Sequence, residues 1–183
     1  MENKTILKNL IVSLLNELGH STKVKLAKLV LFSDIEYFKK TGNSITGLYY
    51  VRLRNGPVVA FFDEVLENNL GELWNLTLQD ITIHGEKLPK KQHLYSPLIK
   101  SNVDQEIAKT IKHVVKKYGS KSGTKLSEIS HSLPAWRFSE PNEPIFITEL
   151  SIEKENEYFA LIDYLEDSND DDTDLAKKIP SPL

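Results

Sequence analysis

Residues 22–58, TKVKLAKLVLFSDIEYFKKTGNSITGLYYVRLRNGPV, constrain the fold more than any other part of the chain. Val24, Leu26, Ala27, Leu29, Val30, Leu31, Phe32, Ile35, Tyr37 and Phe38 would wrap most of a helix running from about Lys23 to Lys40. A helix apolar on nearly every side belongs in the middle of a domain. It nevertheless carries Lys28 and Asp34, which lie about 240° apart around the helix and so cannot pair with each other. An uncompensated charge in the interior is expensive, so each predicts a partner from another element, with Arg52 or His131 as candidates for Asp34. After Gly42 and Gly47, residues Leu48–Arg54 alternate as a half-buried strand. Tyr49, Val51 and Leu53 take one face, and Tyr50, Arg52 and Arg54 the other. Asn55-Gly56 supplies turn chemistry, and Pro57 is expected to open a further helix over about Val59–Leu70.

Around this stretch, Ile6, Leu7, Leu10, Ile11, Leu14, Leu15 and Leu18 form the apolar stripe of a first helix. Gly19 ends it, and Ser21 or Thr22 caps the next. Residues 73–99 alternate weakly and read as short strands broken at Gln79-Asp80 and Gly85-Glu86, with LPKKQHLYSP as a loop between Pro89 and Pro97. Asn102 and Gln105 resemble a capping box before a helix bearing Ile107, Ala108, Ile111, Val114, Val115 and Tyr118. GSKSG at 119–123 breaks the chain before a shorter helix over about Lys125–His131, which Pro134 ends. PAWRFSEPNEP reads as irregular, and a last helix from near Ser151 is expected to bury Tyr158, Phe159, Leu161, Ile162 and Leu165. The prediction is an α+β domain over residues 1–165, mostly helical with a small antiparallel sheet, followed by a disordered acidic tail at 166–183.

Composition removes several function classes. With no cysteine there is no disulfide, thiolate catalysis or thiolate zinc site. No apolar run approaches the ~20 residues that span a bilayer, and MENKTILKNL does not read as a secretory signal. The reading is cytoplasmic, without a membrane. Residues 166–174, EDSNDDDTD, hold six of the 26 acids, and residues 1–165 hold 21 of the 23 basic residues, so the expected domain is close to neutral. That is not a nucleic-acid footprint.

No local motif nominates a reaction either. His20, His84, His93, His113 and His131 have no metal-ligand spacing among them. Asp170, Asp172 and Asp174 begin a calcium-loop pattern, but Leu175 and Ser181 stand where glycine and glutamate are required. GSKSGTK lacks the spacing of a phosphate loop. No serine sits in a nucleophile elbow, and Ser130-His131 has no orienting third group. The short turn between the first two helices suggests a helix-turn-helix, but a recognition helix must offer polar residues to base edges, and the second helix is apolar all round. No cofactor, metal or catalytic residue is assigned.

KLAKLVLFSDIEYFKKTGNSITGLYYVRLRNGPV at 25–58 followed by KLSEISHSLPAWRF at 125–138 resembles the SocA-like antitoxin domain, the Panacea family. The matching positions are Lys25, Leu26, Lys28, Leu29, Phe32, Asp34, Gly42, Gly47, Tyr50, Gly56, Pro57, Leu126, Ser127, Ser130, His131, Pro134 and Trp136. The resemblance implies an antitoxin that neutralises a cognate protein toxin by direct binding, in one branch as an adaptor delivering the toxin to a AAA+ protease. It implies no catalysis. The acidic tail departs from the family pattern. Lys28, Asp34, Gly47, Gly56, Pro57, Ser130, His131 and Pro134 are expected to hold the scaffold. Tyr50, Arg52, Arg54, Trp136 and Arg137 are the candidate partner surface, because tryptophan and arginine are enriched at binding hot spots. A DNA-binding regulator of its own operon and an enzyme or binder of a nucleotide-like ligand are the other readings. A buried polar pocket joining Lys28, Asp34 and His131 would favour the last of these.

Overall fold

The computed structural model describes residues 2–83 and 86–170. Helix α1 (Glu2–Leu18) ends at Gly19, whose left-handed φ of 76° lets its N–H reach the Leu15 carbonyl. Helix α2 (Lys23–Thr41) starts at Thr22, whose hydroxyl accepts from the Lys25 N–H, and stops at the left-handed Gly42. All ten residues from Leu26 to Ile35 are buried. Helices α1, α4 (Gln105–Tyr118), α5 (Gly123–His131) and α7 (Ile147–Leu150) pack around α2, as do strands β2 (Gly56–Val59) and β4 (Glu86–Pro97). The all-round apolarity of α2 is thus explained by its central position. Each fully buried leucine there contributes roughly 2 kcal/mol of burial.

Two small sheets flank the helices. Strand β1 (Tyr50–Leu53) is the middle of a three-stranded antiparallel sheet in the order β2-β1-β5, with β5 at Pro144–Ile145. Pro57, expected to open a helix, lies in β2 opposite Arg52. β2 is an edge strand, where a residue without an N–H is tolerated, and α3 (Phe62–Asn68) begins only afterwards. The second sheet is a single hairpin of β3 (Trp74–Ile83) and β4, in register from Trp74↔Pro97 to Ile83↔Glu86 with a shift between Asp80 and Thr82. The short strands and the LPKKQHLYSP loop expected here are replaced by two long strands. Of the expected break at Gly85-Glu86, Gly85 lies outside the described residues.

Three further expectations are corrected. Asp104, not Asn102, caps α4, its carboxylate accepting from the Glu106 and Ile107 N–H groups. PAWRFSEPNEP is partly regular, with α6 (Pro134–Phe138) opened by Pro134 and β5 closing the three-stranded sheet. The last helix, α8 (Glu155–Asp170), starts later than expected. It buries Tyr158, while Phe159 and Leu165 are exposed. Its backbone continues past residue 165 to Asp170; the rest of the expected tail, 171–183, lies outside the described residues. Among the described residues no helix is long and apolar enough to cross a membrane.

Candidate functional site

The two charges of α2 organise two separate clusters. Asp34 is fully buried and accepts four hydrogen bonds. Its Oδ1 takes the Ile45 N–H (2.7 Å) and the Thr46 N–H (3.0 Å), and its Oδ2 takes the Thr46 hydroxyl (2.6 Å) and the Tyr50 hydroxyl (2.7 Å). Burial pushes the Asp34 pKa up, and these bonds pull it back. The same burial, with the Asp34 carboxylate alongside, raises the Tyr50 hydroxyl well above its usual range. Neither Arg52 nor His131 is the partner of Asp34. The carboxylate instead anchors the chain between α2 and β1, where a polar side chain can hold backbone N–H groups that no strand partner takes. Gly47, with φ of 62°, makes the turn in this segment and accepts from the Asn3 side chain.

The second cluster forms where the β1–β2 turn meets α5 and α6. Lys28, 1% exposed, reaches from α2 to donate to the Pro57 carbonyl at 2.7 Å. Burial lowers its pKa to about 7. Gly56 fits tightly against it: φ is 95°, and a Cβ there would lie 2.1 Å from Ser130 Oγ and 2.9 Å from Lys28 Nζ. Ser130, fully buried, donates to the Ser127 carbonyl. His131 stacks on Trp136 with centroids 3.9 Å apart and planes 14° apart. Its pKa is lowered, first by burial and then by Lys28 and Arg52, which favours the neutral ring. Its Nε2 and the Ser127 hydroxyl are buried without a hydrogen-bond partner among the described residues.

The outer layer of this cluster carries the candidate contact residues. The Arg52 guanidinium lies over the Trp136 ring at 4.6 Å, and its Nε donates to the Trp136 carbonyl at 3.2 Å. Trp136 Nε1 donates to the Leu53 carbonyl at 2.9 Å. His131, Trp136 and Arg52 therefore form one stack that clamps β1 to α6, leaving Trp136 half-buried and its orientation fixed. Arg54 and Arg137 are exposed, and Arg137 pairs with Glu155 and lies 5.1 Å from the Phe138 ring centre. Tyr50 does not belong to this surface. It is fully buried because the Tyr50 face of β1, not the more apolar Tyr49–Val51–Leu53 face, turns inward to reach Asp34. Leu53 and Phe138, both about two-fifths exposed, were missed as contact candidates, and only their neighbours Arg52 and Arg137 pointed to the place.

Asp34 and the Lys28–His131 cluster do not meet in one polar pocket. A cavity of about 370 Å³ opens beside α2, with Phe32 and the stacked Tyr118 in its wall and the Lys117–Glu36 and Lys39–Glu153 pairs also lining it. It includes neither Lys28, Asp34 nor His131. No group of three or more histidine or carboxylate side chains that could hold a metal occurs among the described residues.

Compared with models of known families, residues 26–137, more than half of the chain, match the antitoxin SocA-like, Panacea domain. No curated protein and no solved structure matches the chain.

Proposed function

The chain belongs to the SocA-like Panacea antitoxin family, and on that premise we propose that it neutralises a cognate protein toxin by binding it directly, without catalysis, in the cytoplasm. The family match over residues 26–137 carries this reading. The contact surface we assign is the outer layer of the second cluster: Arg52, Trp136, Arg54 and Arg137, with Leu53 and Phe138 beside them. Its composition supports the assignment, since arginine and tryptophan dominate binding hot spots. Its rigidity does so too, because a ring already held by contacts with His131 and Arg52 loses little conformational entropy on binding. The DNA-binding reading is disfavoured by the burial of every residue from Leu26 to Ile35, which leaves that part of α2 no polar face for a groove.

Purified protein mixed with the product of the neighbouring gene tests this. A stable complex with the wild type, weakened at least tenfold by Trp136→Ala and by Arg137→Glu, is expected. No complex with the wild type would overturn the antitoxin reading. An equal complex with both variants would overturn the surface. If rescue of toxin-expressing cells disappears in a host lacking its AAA+ proteases while the complex still forms, the protein acts as a degradation adaptor.

A further inference from the structure

The two edges of the β3–β4 hairpin are built differently. β4 rests on the body: Leu94 and Tyr95 are buried, and Tyr95 exchanges both backbone hydrogen bonds with Ser21 at 2.8 and 2.9 Å. β4 also carries Pro89, Pro97, Lys87, Lys90 and Lys91. Proline and lysine are what an edge strand carries when it must stay unpaired. β3 has neither. Residues 75–79, Asn-Leu-Thr-Leu-Gln, are all exposed, with Leu78 61% and Leu76 37% accessible. Beyond the bridge at Trp74, no strand among the described residues pairs with the outer side of β3. A two-stranded ribbon is marginal in water, and an edge stretch such as 75–79, with no charge and no proline, is a template for another strand.

We infer that β3 is an interaction edge and that its occupant is β3 of a second copy of this chain, paired antiparallel about Thr77 to give a four-stranded sheet. The strand is complementary to itself in that register. Thr77 meets the other Thr77, Leu76 meets Leu78, and Asn75 meets Gln79, so four leucines gather on one face and the amides lie opposite each other. Such a contact is isologous and closes as a twofold dimer.

Charge supports the same partner. Antiparallel pairing lays the tip of each hairpin over the base of the other. In the sequence, residues 80–91 carry Lys87, Lys90 and Lys91 against Asp80 and Glu86, a positive balance. The base is acidic: Asp63, Glu64, Glu67 and Glu72 are exposed around α3 and the turn into β3, and among the described residues only Asp63 and Glu64 of these four have lysine partners in ion pairs. The dimer brings opposite charges together twice, and raised salt should weaken it. This inference does not depend on the toxin-binding reading, which concerns another surface.

Sedimentation of the full chain over a dilution series tests it. The wild type should show twice 20.9 kDa, and Leu78→Lys, with an unchanged circular dichroism spectrum, should show the monomer mass. Because the chain has no cysteine, Thr77→Cys introduces the sole thiol, and a short bis-maleimide should join two such chains but not two chains of Lys112→Cys on α4. The proposal stands only if both results hold. A wild type that is monomeric throughout, or a dimer that survives Leu78→Lys or fails to cross-link through position 77, overturns it.

Discussion

Asp34 and Lys28 are the two buried charges of one helix, yet their surroundings differ. Asp34 receives four donors, two from backbone and two from side chains. Lys28 is given one carbonyl, that of Pro57. Burial opposes ionisation at both sites. At Asp34 the hydrogen bonds counter that opposition and tie the loop and β1 to the core. At Lys28 little counters it, and the amine is driven toward the neutral form. One charge therefore works as a structural staple, and the other is a tolerated liability that fills the space beneath the Gly56 turn.

The comparison can be broken most severely at Asp34. Asp34→Ala leaves the Tyr50 and Thr46 hydroxyls and two N–H groups without an acceptor, and should cost about 4 kcal/mol in urea unfolding. A loss below about 1 kcal/mol would mean that the staple is dispensable. Next comes the Gly56 turn. Gly56→Ala puts a methyl on Ser130 Oγ at a left-handed φ and should cost about 3 kcal/mol.

Lys28 sharpens the contrast through pH. The unfolded chain keeps this lysine protonated up to about 10.5, whereas the folded chain releases the proton near 7. Between those values the unfolded state binds more protons, so stability rises with pH, by about 2 kcal/mol from pH 7 to pH 9. Lys28→Met should abolish that rise and be about 1 kcal/mol more stable than the wild type at pH 7. A variant that keeps the slope would assign the titration to another group. The smallest effect belongs to the exposed Arg137–Glu155 pair, where Arg137→Ala should change stability by less than about 0.5 kcal/mol.

The body of the molecule was legible because its signals are local and mutually consistent. The α1 stripe, Gly19 and the wrap-around apolarity of α2 each predicted what is found, and of the two candidate caps, Ser21 and Thr22, Thr22 is the one used. The hairpin was legible only as short strand pieces, because residues 75–79, exposed on both faces, alternate weakly, and the full length of both strands is defined only by their pairing. Pro57 was misread because a proline before an apolar run serves equally as a helix opener and as an edge-strand residue. Tyr50 and Asp34 were singled out, but nothing in the spacing says that the polar face of β1 turns inward. That follows once the Asp34 carboxylate needs a donor sixteen residues away. The stack of His131, Trp136 and Arg52 joins residues from α5, α6 and β1; the family motif pointed to His131 and Trp136 and the alternation of the strand to Arg52, without showing that they touch.

The central claim is that the stack-held surface binds a toxin. Its most direct test is growth of cells that express the product of the neighbouring gene together with this protein. The wild type should restore growth, and Trp136→Ala and Arg137→Glu, present at equal levels and folded by circular dichroism, should not. Growth that the wild type fails to restore against a toxic neighbour, or that both variants restore fully, would contradict it.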